Sequence, residues 1–119
     1  MKVPGPEHPI SIARNAKRVR VMFAGETIAD TQRALTLHEA GYRPVHYIPR
    51  ADVATGLLKS TAHSSHCPYK GDANYFSIVT GGRVAENAAW SYEHPYPMVN
   101  EIKEYLAFYP SRVDAIEES

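Results

Sequence analysis

The feature that most constrains this chain is a pair of β-like runs joined by two glycines. Residues 74–80 form the first run, Gly81-Gly82 follows, and residues 83–90 form the second. Two glycines between such runs are a strong signal for a two-residue hairpin, because glycine readily adopts the positive φ angles of these turns. The sequence therefore predicts antiparallel β structure in this half of the chain.

The rest of the chain repeats the same kind of signal. Residues 18–23 alternate between apolar and polar side chains, which is typical of a strand, and an Ala-Gly turn follows them. Residues 34–39 are ambiguous, because alanine, leucine and glutamate also favour helix, and we interpret them as strand. Further strands are predicted at residues 26–30, 45–48 and 105–109, with residues 113–116 paired to the last; residues 60–66 are predicted as an edge strand or a loop.

Little of the chain has a helical pattern. Short helices are expected at residues 52–58 and from Pro97 onward. The fold class predicted is therefore mainly β: a small single-domain antiparallel two-sheet structure, tent-like or sandwich-like, with one or two short helices. At 119 residues the chain is one domain. Residues 1–10 contain three prolines and a glycine and are expected to form an extended arm, with the domain at residues 11–119.

The balance of charge limits the classes of partner. The chain has 13 basic and 13 acidic residues and a formal net charge of +0, which argues against nucleic acid or an anionic membrane as the main partner. Basic residues are concentrated near the start, at Arg14, Lys17, Arg18 and Arg20, and acidic residues near the end. We interpret both groups as solvated faces that approach each other.

The single cysteine excludes an internal disulfide framework and fits a reducing compartment. No apolar run is long enough to span a membrane, and the first residues have no hydrophobic signal core. These observations predict a cytoplasmic protein without a membrane partner. No cofactor is expected.

One stretch concentrates reactive groups. Residues 67–75 hold the only cysteine, Cys67, a lysine three residues later, Lys70, and two tyrosines. Glu39 is a second candidate, because strand alternation places its carboxylate on the same side as two leucines. An inward carboxylate must find a partner or change its pKa. The sequence therefore predicts a site around residues 67–75.

Several short motifs resemble a known family. In chain order they are Gly25-Glu26, Ile28-Ala29-Asp30-Thr31, Tyr47-Ile48-Pro49-Arg50, Asp52-Val53, Cys67-Pro68-Tyr69-Lys70-Gly71, Ala89-Trp90-Ser91-Tyr92 and Pro95. Together they closely resemble the domain of unknown function 427 family, over roughly residues 8–114. The resemblance implies a fold similar to the small all-β fold of the exchange chaperone Mss-four and methionine sulfoxide reductase B, and it implies no agreed activity. Those relatives carry paired cysteines on zinc, and a chain with one cysteine has no four-cysteine zinc site.

The first functional hypothesis is a small-molecule pocket where residues 47–52, 67–75 and 90–92 converge. Arg50 and Lys70 would hold a carboxylate or phosphate, and Glu39 and Asp52 would orient the ligand or act as acid and base. The expected aromatic walls are Tyr47, Tyr69, Tyr75, Trp90 and Tyr92. The alternative for these aromatic residues is ordinary core packing.

Two further hypotheses stay open. Cys67 would be the nucleophile or redox thiol of an enzyme if a nearby cation stabilises its thiolate; otherwise it packs as a small apolar residue. His63, His66 and Cys67 offer nitrogen and sulfur ligands for a metal ion, although a strand would point His66 away from the other two. A small β domain with open edges also has reason to form a homodimer.

Overall fold

The strands of the computed structural model, which describes all 119 residues, form three antiparallel sheets. The strands are β1 (Ile10–Asn15), β2 (Val19–Phe23), β3 (Glu26–Thr31), β4 (Ala34–Glu39), β5 (Val45–Tyr47), β6 (Leu58–Cys67), β7 (Gly71–Thr80), β8 (Arg83–Ser91), β9 (Ala107–Phe108) and β10 (Ala115–Glu118). Their orders are β1-β4-β5, β10-β2-β3 and β6-β7-β8-β9. The predicted mainly β, antiparallel class is confirmed, with three sheets where two were expected.

The hairpin predicted at the two glycines is β7–β8. Gly81 and Gly82 have φ angles of +60° and +72°, as a tight turn between antiparallel strands requires. Residues 34–39 are strand, in register with β1 on one side and β5 on the other. The polar residues 60–66 lie within β6, one of the two edge strands of the four-stranded sheet.

Helical structure is limited to short 3₁₀ turns, at Arg50–Asp52, Thr55–Leu57, Pro97–Ile102 and Pro110–Arg112. The prediction of one helix at residues 52–58 is wrong. Two separate 3₁₀ turns are present instead, one on each side of Val53. Val53 has extended backbone and forms a β-bridge with Ala29, so the tertiary pairing interrupts the helix. None of these turns has the length and apolar character needed to cross a bilayer.

The last strand pairs with a different partner from the one expected. Residues 113–116 were expected to pair with residues 105–109, but β10 pairs with β2, which places Glu117 opposite Arg20. Arg18 and Ser119 exchange two backbone hydrogen bonds of 2.9 Å at the end of this ladder. The acidic end of the chain therefore lies along its basic beginning, and β9 pairs with β8 instead.

Two apolar clusters form the core. The larger joins β2 and β3 to the distal part of the β7–β8 hairpin, through residues such as Val19, Ile28 and Ile78. The second joins β4 and β5 to the start of β7 and to the turn at Pro97–Ile102. The four-stranded sheet thus packs against both smaller sheets. The radius of gyration is 13.9 Å, as expected for one compact domain of this length.

The hairpin β6–β7 has a three-residue turn, residues 68–70, which is followed by Gly71 with a φ of +108°. A side chain at Gly71 would lie 3.4 Å from the carbonyl oxygen of His94. The backbone conformation and the close approach both favour glycine here.

We predict that Gly71→Ala lowers the free energy of unfolding by about 1–3 kcal/mol, because alanine would be strained at this φ. Urea denaturation would measure the change. Gly56→Ala is the matched control, since nothing lies within 4 Å of the added methyl group and its φ is not positive. Equal effects of the two substitutions would contradict this account of the turn.

Candidate functional site

The turn between β6 and β7 carries Lys70 to the end of β4, where it meets Glu39. The Lys70 ammonium donates a hydrogen bond to Oε1 of Glu39, and Nε2 of His8 donates to Oε2 at 2.7 Å. Lys70 is only 7% exposed. The inward carboxylate was predicted to need a partner, and that partner is a buried lysine, assisted by a histidine from the first ten residues.

Two opposing effects set the pKa of Glu39. Burial raises it, because the charged carboxylate loses contact with water. The hydrogen bonds and charges of Lys70 and His8 oppose burial and prevail, so that the pKa of Glu39 lies below its ordinary value. Glu39 is therefore ionised at neutral pH and forms a salt bridge with Lys70.

The turn that carries Lys70 is held by distant segments of the chain. The backbone N–H of Lys2 donates to the carbonyl of Pro68 at 2.7 Å, and the N–H of Tyr96 donates to the carbonyl of Lys70 at 3.0 Å. The ring of Tyr69 stacks on His8 with centroids 4.0 Å apart. These contacts fix the direction of Lys70, so its ammonium is positioned before any ligand arrives.

A cleft of about 820 Å³ opens beside the Glu39–Lys70 pair. Its floor includes Cys67, and its mouth includes Arg43 and His46. Most other lining residues are apolar or aromatic: Val19, Val21, Tyr42, Pro44, Val45, Ile48, Trp90, Phe108, Tyr109, Pro110 and Ile116. A mainly apolar cleft with a few convergent polar groups is the usual form of a small-molecule site.

One wall of the cleft is aromatic. The rings of Trp90 and Tyr109 have centroids 4.5 Å apart, and Nε1 of Trp90 donates to the hydroxyl of Tyr47 at 3.3 Å. Burial raises the pKa of Tyr47 well above its usual value. Burial and a hydrogen bond with Tyr75 raise the pKa of Tyr109 to about 12. Both phenols are therefore neutral at physiological pH.

Of the five aromatic residues expected in the walls, only Trp90 lines the cleft. Tyr47 is buried and Tyr69 stacks on His8, and Tyr75 and Tyr92 also lie outside the lining. The hydroxyl of Tyr75 bonds to Ser65 Oγ at 2.9 Å and to the Tyr109 hydroxyl at 3.1 Å, so Tyr75 supports the wall from the next layer. Tyr92 is buried, and its ring centroid lies 6.0 Å from the Lys70 ammonium. Burial raises the pKa of Tyr92 far above its usual range.

Arg50, expected to anchor an anion, does not line the cleft. Its guanidinium donates to the carbonyl of Glu104 at 2.6 Å, to Ser91 at 3.2 Å and to the carboxylate of Glu93 at 2.9 Å. Ser91 is the last residue of β8, and Glu93 and Glu104 lie in the segment that follows it. The structure therefore places Arg50 as a link between loops.

Asp52 also lies away from Glu39 and Lys70. Its carboxylate accepts hydrogen bonds from the hydroxyl of Thr31 at 2.7 Å and from Arg33 at 3.1 Å. The bond from Arg33, followed by that from Thr31, lowers the pKa of Asp52. The structure places Asp52 in an ion pair beside β3, where it does not face the cleft.

The three residues predicted as possible metal ligands, His63, His66 and Cys67, do not all lie on the same face of β6. The ring of His63 packs edge-on against Tyr75 at 4.4 Å, and Cys67 faces the cleft. His66 points the other way and bonds to Asp72 at 2.7 Å. No group of three or more histidine, cysteine, aspartate or glutamate side chains lies close enough to hold a metal ion.

Several site residues were not expected from the sequence. His8 lies in the proline-rich arm, where nothing predicts contact with a residue 31 positions later. Arg43, His46 and Tyr109 approach the cleft because β5 and the chain after β9 meet there. Strand periodicity gives the face on which a side chain lies, but it does not give which sheets face each other.

The family to which the chain is matched agrees with its motifs. Residues 11–119 match the model described as domain of unknown function DUF427. The chain belongs to this family. The matched range of this DUF427 domain includes Glu39, Cys67 and Lys70 and begins after His8. A comparison of the domain with curated proteins gives no match.

We predict that Glu39→Gln lowers the free energy of unfolding at pH 7 by about 3–5 kcal/mol, because it leaves the Lys70 charge buried without a counter-charge. The cost should shrink as the pH falls below 4.5, the ordinary value for Glu39. A depressed pKa stabilises the fold above that value, and this stabilisation is lost as the carboxylate becomes protonated.

Urea denaturation at neutral and acidic pH would test this. Glu101→Gln is the control, because Glu101 is exposed and takes part in no ion pair. A cost for Glu39→Gln that does not change with pH would contradict the assignment of a charged pair.

Proposed function

We propose that this DUF427 domain binds a small molecule in the cleft beside Glu39 and Lys70. The ligand has a mainly apolar or aromatic body and one hydrogen-bond acceptor, such as a carbonyl, hydroxyl or carboxylate oxygen. The observation that carries the proposal is the burial and the hydrogen bonding of the Lys70 ammonium. It is buried at the floor of a mainly apolar cleft, and Glu39 is its only hydrogen-bond acceptor.

An ammonium has three N–H donors. With one donor bound to Glu39, two are free to bind an acceptor that enters the cleft. Because the group is buried, a ligand oxygen would satisfy donors that water reaches poorly, and such charge-assisted bonds are stronger than neutral ones. Glu39 neutralises the charge of Lys70, so a neutral acceptor fits as well as an anionic one.

The shape of the site supports a ligand with a flat apolar body. Three aromatic side chains, Trp90, Phe108 and Tyr109, line the cleft together with aliphatic residues such as Val45 and Ile48. Aromatic walls bind flat rings well, since offset stacking adds to the free energy of burial. The cleft volume of about 820 Å³ lies within the range of ordinary ligand pockets.

Thiol chemistry is the second candidate. Cys67 lines the same cleft as Lys70 and Glu39, is partly exposed and has no disulfide partner. A ligand held on Lys70 would therefore lie within the same space as the thiol. In this candidate Cys67 is the nucleophile, and the lysine and carboxylate orient the substrate or move a proton.

The location and the assembly of the domain are also proposals. The single cysteine supports a cytoplasmic location. A homodimer would use the free edge of β6, which has ten residues and a neighbouring strand on one side only. Such an edge presents unpaired backbone groups that a second copy can bind.

Binding can be measured at a single reporter. Trp90 is the only tryptophan and lines the cleft, so the one indole N–H signal in a ¹H–¹⁵N spectrum reports occupancy. We predict that 1-naphthol shifts this signal and binds more tightly than naphthalene, which has no acceptor. Lys70→Met should weaken 1-naphthol by about tenfold or more, through loss of a charge-assisted hydrogen bond.

Lys70→Met also leaves Glu39 without its lysine, so Glu39→Gln with Lys70→Met is the second variant, in which neither buried charge remains. Lys103→Met is the matched control, because Lys103 is exposed and outside the cleft. If folded variants without Lys70 bind 1-naphthol as tightly as the unchanged protein, Lys70 is not the anchor and the proposal is wrong.

For the thiol candidate, we predict that iodoacetamide alkylates Cys67 in the native protein and that saturating 1-naphthol slows the reaction, since both occupy the same cleft. Mass spectrometry of the intact chain would follow the adduct, with Cys67→Ser as the control. A thiol that does not react in the folded protein, but reacts after denaturation, would rule out this candidate.

A further inference from the structure

A second groove, of about 680 Å³, adjoins the mouth of the cleft. Arg43, Pro44 and His46 line both, so the two cavities are neighbours at this segment of the chain. The groove contrasts with the cleft in its chemistry, since only two of its lining residues are hydrophobic. A ligand that fills the cleft and extends past Arg43 would enter the groove.

The groove contains an excess of positive charge. Arg14, Lys17 and Arg43 line it, and Glu118 is the only acidic residue that does. With His38 and His46 neutral, the surplus is two positive charges, in a chain whose formal net charge is +0. The excess is therefore a local feature, and it lies beside the apolar cleft.

The arginines of the groove differ from all others in the chain. Arg18, Arg20, Arg33, Arg50 and Arg83 form ion pairs with acidic side chains, and Arg112 donates to two backbone carbonyls. Arg14 and Arg43 take part in no ion pair or side-chain hydrogen bond. Their guanidinium groups are free for a ligand.

The acidic residue of the groove is already engaged. Glu118 accepts a hydrogen bond of 2.6 Å from Asn15, and its carboxylate lies 3.8 Å from Nε2 of His46. His46 is held in turn by Thr36 at 2.8 Å. Glu118 is therefore held by Asn15 and His46 in the wall of the groove. It does not pair with Arg14, Lys17 or Arg43.

We propose that the ligand of the cleft carries a phosphate monoester group, which lies in the groove against Arg14, Lys17 and Arg43. Guanidinium groups match phosphate oxygens in pairs, and lysine adds a point charge. The local surplus of two charges matches a phosphate dianion. This inference rests on the proposed function of the cleft and adds the chemical class of its ligand.

The test compares two probes with the same aromatic body. 5-Hydroxy-1-naphthyl phosphate and 1,5-dihydroxynaphthalene would be titrated into the full chain, with the Trp90 indole signal as the readout. In both probes one hydroxyl can bind Lys70, and only the first carries a phosphate at the opposite end of the ring. We expect the phosphate to bind about tenfold more tightly or better, as a charge-assisted contact with arginine implies. The advantage should fall as salt is raised, because exposed charges are screened.

Arg14→Gln with Lys17→Gln should remove most of the advantage of the phosphate and leave the affinity for 1,5-dihydroxynaphthalene unchanged, because both residues line the groove and neither lines the cleft. Lys59→Gln with Lys103→Gln is the matched control, since it removes the same number of exposed positive charges outside both cavities and should leave the advantage intact. All four residues are exposed, so these variants are expected to fold.

Three results would overturn the inference. Equal affinities for the two probes would show that the groove does not recognise phosphate, while the proposed function of the cleft would stand. An advantage that disappears in Lys70→Met but survives in the Arg14 and Lys17 variant would place the phosphate on Lys70. An indole signal that neither probe moves would overturn the proposed function and this inference together.

Discussion

The ion pair between Glu39 and Lys70 is the interaction on which the site depends. Burying two opposite charges yields little net stability, because desolvation offsets much of their attraction. The main effect of the pair is to fix the relative position of two segments of the chain. It joins the end of β4 to the β6–β7 turn, and so fixes the separation between two sheets that share no backbone ladder there. The cleft lies beside this ion pair, and the side chains of Glu39 and Lys70 form its polar floor.

The cleft and the neighbouring groove have complementary chemistry. The cleft is apolar and aromatic, with a lysine and a thiol at its floor. The groove is basic, with two arginines that have no partner within the protein. The net charge of the chain is zero because these cations are balanced by carboxylates elsewhere. A chain with no net charge can therefore have a local positive potential that suits an anion. The net charge of the whole chain limits the choice of macromolecular partner, but it does not describe a small-molecule site.

Much of the fold and part of the candidate site could be predicted from the sequence. Alternation and turn glycines identify most strands because they are local signals. Glu39, Cys67, Lys70 and Trp90 were expected, and the structure brings them to one cleft. Arg50 was expected as an anion anchor and lies elsewhere, because its partners come from loops whose approach depends on sheet packing. The contact of His8 with Glu39 was not predictable for the same reason, since it joins residues on separate elements.

The turn at residues 68–70 has a consequence for the order of assembly. Its backbone is held by Lys2 from the beginning of the chain and by Tyr96 from near its end, and its lysine is held by β4. No isolated hairpin contains these partners. Contacts between residues so far apart in sequence form late, because the chain entropy lost on closing the loops must be overcome first. During synthesis, a chain released only as far as β7 has the thiol and the lysine but not the cavity, so an incomplete chain has no formed site.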